Sequence, residues 1–213
     1  MFRSLTYAAL ENRLNRAYTN RLTSRGRTHK GVFWRSESSQ VARFDALLSL
    51  AFQLAPKQPV SIADIGCGYG AMLDFIQSGH AFRQTNYHGV DINRSMITAC
   101  RSKFPSQAGF FSVGNVPKSI VDFALFSGTF NLTYSDDASL WQDYIFKNLA
   151  RCLSQCRYGL VLNLLCGPKM TIDKQIFYAN RADFIARATR DLGPTNAIST
   201  RHVSGDASFV IRR

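Results

Sequence analysis

The stretch Val60–Phe75, "VSIADIGCGYGAMLDF", constrains the fold most. A continuous apolar run ends in glycines at alternate positions 66, 68 and 70, and an amphipathic segment follows at once. The side-chain period changes from two to 3.6 across a turn rich in glycine, which predicts strand, tight turn and helix. The same alternation continues downstream. Strands are expected at 60–65, 87–91, 109–113, 121–127 and 158–165, and helices at 70–79, 93–103, 138–155 and 179–191. Strands that are apolar on both faces, separated by helices, imply a parallel sheet covered on both sides. The chain ends differently. Residues 196–200 and 207–212 read as strands joined by "RHVSGD", too short for a helix, so a terminal hairpin should add an antiparallel edge.

Upstream, Leu10, Leu14, Tyr18 and Leu22 form one i+4 row within 5–22, an amphipathic helix. Residues 23–31 read as a loop and Ser38–Leu54 as a second helix, ended by Pro56 and Pro59. The expected organisation is an N-terminal helical lid over 1–55 and a Rossmann-like domain over 56–213. With 213 residues, 46% of them hydrophobic, a single core can form. No run has the length of a membrane span.

The turn points to a ligand. In a doubly wound sheet the first strand-to-helix turn lies at the switch point where ligands bind, and a helix N-terminus there offers free N–H groups. Asp91 closes the second strand, where a carboxylate can accept both hydroxyls of a ribose. An adenosine-containing ligand follows. Gly66, Gly68 and Ala71 also satisfy the dinucleotide fingerprint, so a nicotinamide oxidoreductase stays open on this match alone. Three features tilt the balance. Asp64 stands two residues before the first glycine, suited to a cationic amino group and repelling a pyrophosphate. The third glycine sits at 70. The terminal hairpin replaces a second mononucleotide-binding half.

The combination "ADIGCGYG" with "GVDIN" resembles the class I S-adenosylmethionine-dependent methyltransferases over about residues 60–213. That family's fold is a doubly wound seven-stranded sheet, mostly parallel, with an antiparallel C-terminal hairpin strand. The resemblance implies S-adenosylmethionine as cofactor and S-adenosylhomocysteine as product. It places Asp64, Gly66, Cys67, Gly68 and Gly70 at the turn, Asp91 on the ribose and Ile92 against the adenine. It also places Gly114, Asn115 and Val116 in the third-strand segment "FSVGN", where Asn115 replaces a common Asp. "DFALFSGTFN" is similar to a small-molecule-type subgroup, with Ser127 and Gly128 lining the methionine end. "GVFWRSESSQVARFDALL" looks like the same subgroup, and on that likeness Arg43 pairs with the cofactor carboxylate.

Methyl transfer from a sulfonium needs an acceptor lone pair about 3 Å from the methyl carbon, held in a dry site. Trp34, Phe130, Asn131, Tyr134 and Tyr178 are the expected substrate contacts, and His29 is the candidate base for an acceptor that must lose a proton. "SGTFN" stands where enzymes acting on exocyclic adenine nitrogens or amides carry N/D-P-P-Y/F, which argues against such acceptors. An oxygen or basic nitrogen of a small molecule is the expected target. No metal-ligand spacing, Ser-His-Asp arrangement or Walker loop occurs.

Charge supports a second reading. The net charge is +12, with nine Lys/Arg against two Glu in residues 1–43. Arginines in a lid favour an anionic substrate. The same charge could neutralise phosphates, so an RNA methyltransferase using this cofactor is the alternative, although no RNA-binding module accompanies it. A nicotinamide oxidoreductase and a non-catalytic relative of the fold complete the set. The five cysteines imply free thiols and a cytoplasmic setting. The Arg-rich, acid-poor N-terminus keeps mitochondrial import as a minor alternative.

Overall fold

The computed structural model describes residues 2–199 and 205–213. His202 and most of the expected hairpin turn lie outside the described residues. The elements run α1 (Phe2–Arg25), α2 (Glu37–Leu54), β1 (Val60–Ile65), α3 (Ala71–Ser78), β2 (Thr85–Asp91), α4 (Arg94–Lys103), β3 (Phe111–Val113), β4 (Val121–Phe126), α5 (Ala138–Leu153), β5 (Cys156–Gly167), β6 (Thr171–Asp173), β7 (Ile176–Asn180), α6 (Arg181–Asp191), β8 (Thr195–Ser199) and β9 (Asp206–Arg212).

Strands β1, β2, β3, β4 and β5 are parallel in the order β3-β2-β1-β4-β5. β9 then pairs β5 antiparallel, and β8 pairs β9. These seven strands form the mostly parallel sheet with an antiparallel edge that the sequence predicts. Its period of two sends alternate side chains into two cores. Phe123 and Leu125 of β4 enter one, and Val121, Ala124 and Phe126 enter the other. Leu47, Leu48, Met72, Leu73 and Ile97 place α2, α3 and α4 on the first face. Leu10, Leu14, Trp141, Leu149 and Phe184 place α1, α5 and α6 on the second. Each large apolar side chain buried in this way contributes roughly 1.5–3 kcal/mol.

Two further strands were not expected. β6 and β7 form a short antiparallel hairpin at the end of β5, and β7 also pairs β5 through Cys166↔Ala179. Lys174 and Gln175 turn it with φ of 46° and 68°. Tight hairpin turns of that kind usually carry Gly or Asn, and without them the segment gives no turn signal. The predicted helix 179–191 therefore starts at Arg181, where the Asn180 side chain accepts from the Asp183 amide at 3.0 Å.

The N-terminal part also differs from expectation. α1 continues to Arg25, and a 3-10 turn occupies His29–Val32, capped by the Thr28 hydroxyl. α2 is a layer of the main core, since Leu47, Leu48 and Ala51 are fully buried against the sheet. A boundary at 55/56 thus cuts through one hydrophobic core. No helix of the described residues is long and apolar enough to cross a membrane.

Candidate active site

A cavity of about 510 Å³ opens at the carboxyl ends of β1, β2 and β4. The turn after β1 forms its floor. The Gly66 and Cys67 amides donate to the Val90 carbonyl at 2.7 and 3.1 Å, which folds the chain back toward β2. Gly66 is left-handed at φ 79°, and a Cβ there would lie 2.7 Å from Thr129 Cγ2. Its first neighbour is the protein's own β4–α5 loop, so the missing side chain makes room for Thr129 as well as for any ligand. Gly70 caps α3 against Phe104 and stands outside the cavity lining.

Asp91 organises the site. Its Oδ2 accepts from the Gly68 amide at 2.9 Å and its Oδ1 from the Asn93 amide at 2.8 Å. The carboxylate keeps lone pairs for further donors. Burial raises its pKa to about 6, against the two amides that lower it. Asp64 is 3% exposed and accepts from the Tyr87 hydroxyl at 2.7 Å. Burial raises it to about 7, opposed by the Tyr87 bond and reinforced by the neighbouring Asp91 charge. Neither acid forms an ion pair among the described residues. Two desolvated carboxylates without a counter-ion suit a ligand that brings hydroxyls and positive charge, and they repel a diphosphate.

Other polar groups await partners. Ser127 Oγ and Asn15 Oδ1 are buried atoms with no hydrogen-bond partner among the described residues, and both residues line the cavity. Arg43 lines it too, with its Nε bound to Asp206 Oδ1 at 2.9 Å and its guanidinium 4.6 Å from the Trp34 ring. Trp34 packs over Gly128, where an added Cβ would sit 2.6 Å from Trp34 Cζ2. The Cys67 thiol is pushed well up by its Cys100 neighbour and by burial, so it is protonated and no nucleophile.

Most predicted site residues converge. Trp34, Arg43, Asp64, Gly66, Cys67, Gly68, Asp91, Ile92, Gly114, Asn115, Ser127, Gly128, Phe130, Asn131 and Tyr178 all line the one cavity. His29, Gly70, Val116 and Tyr134 do not. His29 belongs to the 3-10 turn, where its carbonyl accepts from the Trp34 amide at 3.0 Å, and it lies off the lining. Val116 and Tyr134 pack against the core beneath α5. Asn131 Oδ1 accepts from the Leu165 amide at 3.1 Å, which leaves its Nδ2 without a partner among the described residues.

Several lining residues escaped the sequence reading. Leu14, Asn15 and Tyr18 come from α1, and Trp141, Tyr144 and Asn148 from α5. Their apolar spacing reads as core. Asn93 was legible only as a helix start. Its Oδ1 caps α4 through Ser95 and Met96, while its Nδ2 donates to the Asn15 carbonyl and to Thr19 Oγ1, both at 2.9 Å. One side chain thus ties α1 to the α4 N-terminus beside Asp91.

Comparison with known proteins agrees with this geometry. Residues 62–156 match the family model described as a methyltransferase domain. Rv1506c of Mycobacterium tuberculosis, provisionally named a methyltransferase, is 31% identical over 109 residues, which cover 50% of this chain. The match spans 64% of that relative's length. Among solved structures, a Leishmania major S-adenosylmethionine-dependent methyltransferase aligns with a TM-score of 0.62 at 12% identity, covering 92% of this chain and 82% of its own. The sugar N-methyltransferase KedS8 of Streptoalloteichus gives 0.60 at 12% identity, over 85% and 92%. The magnesium protoporphyrin IX methyltransferase of Synechocystis, with S-adenosylmethionine bound, gives 0.54 at 15% identity, over 82% and 80%. At these identities the likeness is one of fold.

Proposed function

We propose, from the premise that residues 62–156 form a methyltransferase domain on a class I fold, that the chain transfers a methyl group from S-adenosylmethionine to an oxygen or nitrogen of a small, anionic molecule. The observation that carries this reading is the pair of buried, unpaired carboxylates, Asp64 and Asp91, flanking the glycine turn. Asp91 would accept the ribose hydroxyls while keeping its bonds to Gly68 and Asn93. Asp64 would take the ammonium, Arg43 the carboxylate, and Ile92 and Asn115 would flank the adenine. Ser127 and Gly128 would hold the methionine end. When bound, S-adenosylmethionine supplies a methyl group on an electrophilic sulfonium.

The acceptor would meet Trp34, Phe130, Asn131 and Tyr178. Their rings exclude water, and the Asn131 amide offers a donor to orient it. Among the described residues no His, Lys or Glu lines the cavity, which favours an acceptor that arrives with a free lone pair. Leu14, Asn15 and Tyr18 of α1 and Val32 of the 3-10 turn line the cavity. We therefore read α1 and this turn as the lid, with α2 as part of the core. A cavity of about 510 Å³ favours a small acceptor over a polynucleotide. Five free cysteines fit a reducing cytoplasm.

Calorimetry tests the cofactor. S-adenosylhomocysteine should bind and NADH should not, and the reverse result removes the reading. Labelled methyl transfer into a metabolite extract, followed by identification of the labelled product, tests the acceptor class. Label recovered in RNA would replace the small-molecule reading.

A further inference from the structure

Beyond the glycine turn, a buried polar chain runs behind the Ser127–Gly128 end of the cavity. Asp206 opens β9 and Asn163 lies in β5, and they are 4% and 1% exposed. Asp206 Oδ1 accepts from Arg43 Nε at 2.9 Å and from Asn163 Nδ2 at 2.8 Å. Asn163 Oδ1 in turn accepts from the Gly128 amide at 2.7 Å. Trp34 closes the circuit, stacked on the Arg43 guanidinium and packed over Gly128. Of these five residues, Gly128 alone falls within the matched span 62–156.

The chemistry of the clamp is specific. A guanidinium carries five donors in a planar fork. Fixing Nε sets the plane of that fork. The two terminal nitrogens of Arg43 have no partner among the described residues, and Arg43 lines the cavity, so its carboxylate-binding edge is the part left available. Three elements distant in sequence converge on this one arrangement, with Arg43 and Asp206 163 positions apart.

We propose that Asp206 and Asn163 are positioning residues that together orient the Arg43 fork toward the ligand's carboxylate and hold the Gly128 amide at the same end. This rests on the reading that the cavity takes S-adenosylmethionine with its carboxylate at Arg43. Neither residue touches the ligand; both act through Arg43 and Gly128.

Two probes separate positioning from structure. S-adenosylhomocysteine has the amino-acid end, and 5′-methylthioadenosine lacks it. Calorimetry on the full chain should show Asp206→Ala weakening S-adenosylhomocysteine at least tenfold and leaving methylthioadenosine within twofold. Asp206→Asn, which keeps the acceptor for Nε, should restore S-adenosylhomocysteine to within threefold of the parent. If the Asp206 variants do not fold because each leaves Arg43 as an uncompensated buried charge, Asn163→Ala carries the test, with the same selective loss expected. Equal weakening of both probes, or no change in either, overturns the proposal while the cofactor reading stands. A parent protein that binds neither probe overturns both.

Discussion

Asp64→Asn should stabilise the ligand-free protein above neutral pH while impairing its function. In the native state the carboxyl titrates near 7, because burial disfavours its charged form. In the unfolded chain it titrates near 3.9. A raised native pKa means that between about pH 4 and pH 7 the folded protein holds a proton the unfolded chain has released. This contribution to stability is fully present below pH 4 and is lost as pH rises through 7. A gap of about three pH units at 1.36 kcal/mol each makes the buried charge cost on the order of 4 kcal/mol at pH 8. Asparagine is neutral throughout and can still accept from Tyr87. Urea unfolding of the ligand-free protein at pH 5, 6, 7 and 8 measures the effect. The parent should lose about 2–3 kcal/mol more than the variant between pH 5 and 8. S-adenosylhomocysteine affinity of the parent should rise about tenfold per pH unit up to 7 and then level off, since its ammonium pairs with the anion. In the variant that affinity should be low and flat. Parallel stability curves for the two proteins would refute the argument, because Asp64 would then not be titrating in this range.

Three other expectations follow from contacts at the same site. Asp91→Asn keeps an acceptor for one of the Gly68 and Asn93 amides but loses the charge and a ribose acceptor, so S-adenosylhomocysteine affinity should fall at least tenfold by calorimetry. Gly128→Ala adds a Cβ 2.6 Å from Trp34 Cζ2 at φ 69°, which should cost roughly 1–2 kcal/mol of backbone strain in urea unfolding and lower turnover by displacing Trp34. Asn93→Ala removes the α4 cap, worth about 1 kcal/mol, and the two bonds to α1. Hydrogen exchange should then rise in residues 10–20 before it rises in the sheet.

The fold was legible where local chemistry and tertiary demand coincide. β1 and α3 are announced by a period change across Gly66, Gly68 and Gly70. Continuous apolar runs announce β4 and β5. The two cavity acids were legible for the same reason, since Asp64 and Asp91 are polar residues near the ends of apolar strands. The β6–β7 hairpin was hidden because Lys174 and Gln175 turn it without a turn residue. His29 looked like a candidate base because a polar loop histidine shows no direction, and the backbone keeps it off the cavity lining. The Arg43–Asp206–Asn163 chain joins positions far apart in sequence, and one Asp before an apolar strand gives no hint of its partner. Sequence periodicity reports which way a residue faces, and long-range pairing is a property of the assembled sheet.

The position of β9 has a consequence for how such a chain matures. This last strand is inserted between β5 and β8, and its first residue supplies the counter-charge for an arginine in α2. A ribosome would thus expose Arg43 and the glycine turn well before the strand whose first residue pairs with Arg43. A chain stopped short of Asp206 would present β5 as a bare, aggregation-prone sheet margin. It would also leave Arg43 uncompensated, so truncation before Asp206 is expected to yield insoluble protein rather than a folded protein with weakened binding.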